Sequence, residues 1–219
     1  MNVVPFRPRT APEPLAFAIG ARVDLRVGAL AAAVVRPRGA PEESFAFSNL
    51  TRLLRAARMA WRERGAYTGL VLAVPAQIQK SLEAEMLSEA AMEAGCTRQA
   101  LTFELHEREI VEAGPELAVE LRARGWGVAL RGDAACPLPF GSRARTLYTE
   151  LTLEAPQGED PFLAMADEDR TPLGRRLLAA KAAGMIITAE SVQTATQAKK
   201  LAIAGFERGG GPFAEAGLR

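Results

Sequence analysis

Short apolar runs of strand character alternate along the chain with longer stretches in which apolar residues recur every three or four positions. Ala16 to Leu25 and Val27 to Val35 read as two strands close enough to pair directly. From Phe45 to Arg64, the residues Phe47, Leu50, Leu53, Leu54, Ala57 and Trp61 fall on one face of a helix. Gly69 to Val74 (GLVLAV) is a continuous apolar run, as expected of a strand buried on both faces. A helix over Pro75 to Ala94, a strand over Ala100 to Leu105, and a helix over Glu107 to Arg124 that Gly114-Pro115 should break come next. Strands follow at Gly127 to Leu130, Leu147 to Leu153 and Met185 to Ala189, with helices at Arg170 to Ala183 and Val192 to Ile203. A last short strand runs from Phe206 into Gly209-Gly210-Gly211. Such alternation implies a largely parallel sheet. About eight βα units in this length predict a small (β/α)8 barrel of the α/β class, with its chemistry at the C-terminal ends of the strands.

Composition narrows the function classes. The 219 residues are 48% hydrophobic and 24% charged, a globular profile that excludes intrinsic disorder. The proline-rich first 14 residues read as an extended arm, leaving 15–219 for the barrel domain. The N-terminus lacks the apolar region of a signal peptide, and no apolar run reaches the roughly 18 residues of a membrane span. With 27 basic and 26 acidic residues the formal charge is +1, so no global field points to nucleic acid. Cys96 and Cys136 form no framework, which suits reduced thiols in a cytoplasm. A single histidine, His106, excludes a multi-histidine metal site. Trp61 and Trp126 read as core residues.

Carboxylates stand at several strand ends: Glu104 after LTF, Glu154 after LTL, and Glu190 after IITA, with Arg131-Gly132-Asp133 after GVAL. Three carboxylates at three strand mouths can converge on a hard divalent cation. The same residues can equally serve as helix caps or loop charges, and Glu107 to Glu112 can complement a helix N-terminus.

LTFELHERE, GWGVALRGD, GMIITAESVQT and the terminal glycine run, in that order and at those intervals, resemble an EAL domain from about Phe17 to the C-terminus. AESVQTATQAKKLAIAGFE is the best segment, against a family pattern of AEGVET followed by QL and LG. The resemblance implies a barrel whose first two strands are antiparallel, in a family of cyclic di-GMP phosphodiesterases and their inactive relatives. There, two Mg²⁺ or Mn²⁺ ions activate a water. It also implies that much of that site is lost here. The Glu of the defining Glu-Ala-Leu falls on Gly28, the metal-ligating amide on Ala73, and the paired aspartates on Arg131 and Gly132. The lysine near the attacking water falls on Thr152, and the C-terminal Gln on Gly210. Vestigial metal-site carboxylates remain at Glu104, Glu107, Glu154 and Glu190. A fixed cation such as Arg131, about 4 Å from a divalent ion at an effective dielectric near 20, would cost on the order of 8 kcal/mol before relaxation.

The reading is a degenerate EAL-like domain that is not an enzyme. It holds no metal or other cofactor, and acts as a regulatory or scaffolding module for an unidentified protein partner, with a homodimer possible. The alternative is a non-hydrolysing cyclic di-GMP receptor, with Arg131, Arg143 and Arg145 as replacement phosphate contacts. Further down stands an active phosphodiesterase with a rearranged site, which would require Glu104, Glu154 and Glu190 to converge on one point.

Overall fold

The structure is a computed structural model that describes residues 17–63, 68–132, 144–156 and 172–216. The arm expected over 1–14 lies outside them, as do Asp133, Cys136, Arg143 and the rest of the loop through Gly141, and the side chain of Arg145.

Eight strands close into one barrel in chain order. β1 (Phe17–Asp24) and β2 (Leu30–Pro37) form an antiparallel hairpin, with Ala21 opposite Ala33. β3 (Gly69–Ala73), β4 (Leu101–His106), β5 (Gly127–Arg131), β6 (Glu150–Glu154), β7 (Ile186–Glu190) and β8 (Arg208–Gly210) then run parallel to β2. The ring closes where β8 meets β1 antiparallel, across just three pairs: Arg22–Gly210, Val23–Gly209 and Asp24–Arg208. The expected barrel with an antiparallel first pair is the fold observed.

Helices cover the outside: α1 (Pro41–Ser44), α2 (Phe47–Glu63), α3 (Ala76–Gln79), α4 (Ala84–Glu93), α5 (Glu107–Ala113), α6 (Glu116–Ala123), α7 (Ala144–Leu147), α8 (Pro172–Ala182), α9 (Ala195–Ala204) and α10 (Pro212–Ala216). The main core lies between helices and sheet. Leu50, Leu53, Leu54, Ala57 and Trp61 of α2 pack there with Leu70, Leu72, Phe103 and Leu105. Trp126 joins this layer, its ring edge-on to Phe103 at 5.7 Å and its indole N–H donating to Ser88 Oγ at 2.9 Å. Phe47, expected on the buried face of α2, is partly exposed at the helix start.

Local chemistry corrects several boundaries. The apolar run from Val27 does not begin a strand. Asp24 Oδ1 accepts from the backbone N–H groups of Arg26 and Val27, and Gly28 takes φ +70°, so residues 25–29 turn the hairpin. The single helix expected over 75–94 is two, α3 and α4, and the expected break at Gly114 (φ +99°) separates α5 from α6. α9 starts at Ala195 because Thr194 Oγ1 accepts from Gln197 N–H as its N-cap.

Candidate functional site

Cross-strand partners in a sheet face the same side, so the register separates the inner face of the barrel from the outer one. Leu101, Phe103 and Leu105 of β4 point to the helices, and Thr102 and Glu104 therefore point into the lumen. Following the pairs around the ring, the lumen face comprises Ala32, Val34, Val71, Ala73, Glu104, Ala129, Glu150, Thr152, Thr188, Glu190, Arg208, Gly210 and Arg22. The β2–β3 quadrant of this face is apolar: Ala32, Val34 and Val71 cluster with Ala73.

The remainder is organised around one guanidinium. Arg22, from the closing strand β1, is fully buried. Its Nε donates to Glu190 Oε1 at 2.8 Å, its Nη1 to Glu150 Oε1 at 2.9 Å, and its Nη2 to Glu104 Oε2; Nη2 also lies 2.6 Å from Glu190 Oε1. Burial works against the Arg22 charge, but the three carboxylates more than reverse that and push its pKa further above its already high value. Burial alone would likewise push the Glu104 carboxyl up. The charge and hydrogen bond of Arg22, the Thr152 hydroxyl and the nearby charge of Arg131 instead hold it below the usual range. Further bonds complete the set: Thr152 Oγ1 to Glu104 Oε2 at 2.9 Å, Thr188 Oγ1 to Glu150 Oε1 at 2.6 Å, Arg208 Nη1 to Glu150 Oε2 at 2.8 Å, and Arg36 Nη2 to Glu190 Oε2 at 3.0 Å. Glu104 Oε1 is buried and has no hydrogen-bond partner among the described residues; Arg131 Nη1 lies 3.8 Å away.

The residues expected at the strand mouths are thus only partly brought together. Glu104 and Glu190 converge, joined by Glu150 rather than Glu154. Glu154 is exposed at the rim, accepting from Arg131 Nη2 and from Ser191 Oγ, both at 2.8 Å. Ser191 holds φ +61°, the one non-glycine residue with positive φ among the described residues, where the EAL pattern has glycine. Glu107 is buried at the head of α5 and ion-paired with Arg176 of α8. Thr152 and Ala73 lie on the lumen face. Arg131 stands at the mouth beside the cluster rather than at its centre.

Gly28 requires a correction: it lies in the β1–β2 turn, at the end of the barrel opposite the strand mouths. At the level of Ala73 and Glu104, β2 instead presents Arg36, since Val35 pairs with Leu72. Two glycines leave no room for larger residues. A Cβ on Gly132 would come within 2.5 Å of Leu153 Cδ2, and one on Gly210 within 2.7 Å of Glu190 Oε2.

Above the cluster opens a cavity of about 720 Å³, lined by His106, Arg108, Arg131, Leu153, Pro156 and Leu173 among others. Gln79 fixes the rim of β4: its amide donates to the His106 carbonyl at 3.1 Å and accepts from the His106 N–H at 2.7 Å. Burial, then the Arg131 charge, pushes the His106 imidazole below its ordinary value. Among the described residues, no set of His, Cys, Asp and Glu side chains stands arranged to hold a metal ion. No described helix is long and apolar enough to cross a membrane.

Sequence reasoning missed Arg22, Arg36, Glu150 and Arg208. The available signal was a charged residue inside an otherwise apolar strand, as in GARVD and TELTL.

A closed eight-strand barrel in which β1 runs antiparallel to both its neighbours is a fold this chain shares with solved EAL domains. The comparisons agree on that fold. The PaMucR phosphodiesterase in complex with c-di-GMP superposes with a TM-score of 0.69 at 15% identity, over 90% of this chain and 93% of that one. The EAL domain of Mycobacterium smegmatis DcpA gives 0.65 at 22% identity, over 92% and 90%. A standalone EAL protein from Vibrio cholerae O395, in its c-di-GMP-bound form, gives 0.56 at 14% identity, over 92% and 91%. No protein-family model matches the sequence, and no curated protein matches it.

Proposed function

We propose that this barrel does not hydrolyse a cyclic dinucleotide and works as a regulatory or scaffolding module that docks another protein in the cytoplasm. One observation carries the reading: the lumen carboxylates already ligate a cation, the guanidinium of Arg22. A pair of divalent ions needs open oxygen ligands on several sides. The residues present do not fit such a pair. Arg22 occupies the space between Glu104, Glu150 and Glu190, the β2–β3 quadrant offers Val34, Val71 and Ala73, and Arg131 adds a second positive charge beside Glu104. By the resemblance, several EAL-type parts that act as a unit are replaced although Glu104 and Glu190 remain, which supports loss of turnover rather than its slowing.

A second reading has its own support. The 720 Å³ cavity has the size to hold a small ligand, and its lining sets Arg108 and Arg131 beside Glu109 and Glu154, of which Glu154 already pairs with Arg131. One experiment separates the readings. The full chain is incubated with cyclic di-GMP and Mg²⁺ or Mn²⁺, products are resolved by chromatography, and the same ligand is titrated calorimetrically. We expect no linear dinucleotide and no binding heat. Binding at micromolar concentration without product makes the protein a receptor, whereas a linear product overturns both.

A further inference from the structure

Carboxylates in the lumen are neutralised by arginines from facing strands. On the outer wall one group of carboxylates is not. A groove of about 400 Å³ lies between the α3–α4 connection on one side and α5 and α6 on the other. Its apolar lining comes from Leu82 and Leu117, which are only partly covered, and from Ile110 at the edge of the core. Glu83, Glu109, Glu116 and Glu120 line it as well, and Lys80 is the sole cation among the described residues that do so. Among the described residues none of these four carboxylates makes an ion pair. Four like charges around an apolar floor repel one another, and a partner of opposite charge that also covers the floor relieves both conditions.

The fold limits what can dock there. The barrel is closed, so its sheet offers no open edge to an added strand. No aromatic residue lines the groove, as recognition of a polyproline segment requires. The walls are helices, and the mode that suits them is an amphipathic helix laid into an apolar groove. The same walls leave Val111 of α5 and Val119 of α6 nearly half exposed.

We propose that this groove takes a basic amphipathic helix of another protein. Its apolar residues cover Leu82, Ile110 and Leu117, and its arginines or lysines meet Glu83, Glu109, Glu116 and Glu120. The proposal rests on the functional reading above, of which it names the docking surface and the chemistry of the partner. Glu83, Glu116 and Glu120 are exposed, so the attraction weakens with added salt.

The test uses the full chain and fluorescein-labelled peptides of about 18 residues, or five helical turns. One carries leucine on the apolar face and arginine on the polar face. A second has glutamate in place of arginine, and a third has glutamine in place of leucine. Fluorescence anisotropy is read for the wild type and for Glu116→Lys/Glu120→Lys. It is also read for Glu89→Lys/Glu93→Lys, which makes the same charge change on α4 outside the groove. Only the leucine–arginine peptide is expected to bind, with a Kd of roughly 10–100 μM, weakened about tenfold or more by Glu116→Lys/Glu120→Lys and under about threefold by Glu89→Lys/Glu93→Lys. If Glu116→Lys/Glu120→Lys does not fold, Lys80→Glu supplies the converse and tightens the same peptide about threefold.

Equal binding of the glutamine–arginine peptide overturns the proposal, since the floor then contributes nothing. Equal losses in both charge variants overturn it too, as does a wild-type chain that binds none of the peptides. Sedimentation velocity supplies the remaining arm: a wild-type dimer broken by Glu116→Lys/Glu120→Lys puts a second copy in the groove and overturns the proposal. A chain that binds the leucine–arginine peptide in the groove yet cleaves cyclic di-GMP strikes the functional reading alone. One that binds no peptide and cleaves nothing strikes this proposal alone.

Discussion

Replacing Arg22 by methionine keeps most of the side chain's bulk and removes its charge, and the three carboxylates then lose unequal amounts. Glu150 keeps the Arg208 guanidinium and the Thr188 hydroxyl, and Glu190 keeps Arg36. Glu104 keeps the Thr152 hydroxyl, with Arg131 3.8 Å from its other oxygen. The cost therefore concentrates on Glu104, which is almost wholly buried. Removing one partner of a buried ion pair costs about 3–5 kcal/mol, because the other charge stays behind without compensation. That is a large part of the roughly 5–15 kcal/mol that holds a domain folded.

The pH dependence makes this loss diagnostic. In the wild type the Glu104 carboxyl titrates below its ordinary value, since Arg22 and its hydrogen bond outweigh the opposing effect of burial. Its contribution is therefore present above the unfolded value of roughly 4.3 and is lost as pH falls through the lower folded value. In Arg22→Met burial prevails and the folded value rises, so the sign reverses and the variant recovers stability as it takes up a proton. Urea unfolding of both chains at pH 8, 7, 6 and 5 should give a gap of about 3–5 kcal/mol at pH 8, narrowing by about 1 kcal/mol or more at pH 5. Glu104→Gln in the Arg22→Met background should restore part of the loss, with a coupling energy of roughly 2 kcal/mol. A gap under about 1 kcal/mol at pH 8, or one that widens on acidification, refutes the reasoning.

Two further outcomes follow from the same geometry. Gly210→Ala places a methyl 2.7 Å from Glu190 Oε2, so the carboxylate or β8 must shift and the bonds of Glu190 to Arg22 and Arg36 are strained. The expected loss is about 1–3 kcal/mol by thermal denaturation, and an unchanged midpoint would show Glu190 to be loosely held. His106 is the single histidine, so its imidazole proton resonances need no assignment. They should titrate below pH 6.5 and move upward in Arg131→Ala, because burial and the Arg131 charge both disfavour the imidazolium. A histidine depressed in this way contributes stability above its unfolded value that falls away as pH drops through the folded one. A midpoint at or above 6.5 removes that account.

Much of the barrel was legible because helix and strand periods report burial directly, and each outer-layer helix carries its apolar stripe. The hairpin was not, because apolar residues continue through its turn. The signal that decides it is Asp24 followed four residues later by Gly28, an Asx-type turn with positive φ. Separately, the motif register set the family's glutamate on Gly28, whereas β2 presents Arg36 at the mouth. The carboxylate candidates were found because strand ends mark a barrel's site, and Glu104 and Glu190 do meet. Arg22 and Glu150 escaped for the opposite reason. Alternation assigns a charge within a strand to the solvent side, whereas a closed barrel turns its second face inward. There a charge survives only with partners from strands that are distant in sequence.

Those partners fall in two sectors, and this bears on how the ring stays shut. The guanidiniums of Arg208, Arg22 and Arg36 come from the adjacent strands β8, β1 and β2, and the carboxylates of Glu104, Glu150 and Glu190 from β4, β6 and β7. The basic sector includes β8, which meets β1 through three residue pairs and β7 through two, against five between β6 and β7. A seam this short has few ladder bonds to lose, so it should open at lower free energy than the sheet interior. Arg22 and Arg208 tie it across the lumen to the far wall. Native-state hydrogen exchange should then show β1 and β8 amides less protected than those of β4 and β5 in the wild type. Arg22→Met should lower protection at the seam by a larger factor than at β4 and β5. Equal loss across all strands would mean that the arginine stabilises the barrel globally and leaves the seam no weaker than the rest.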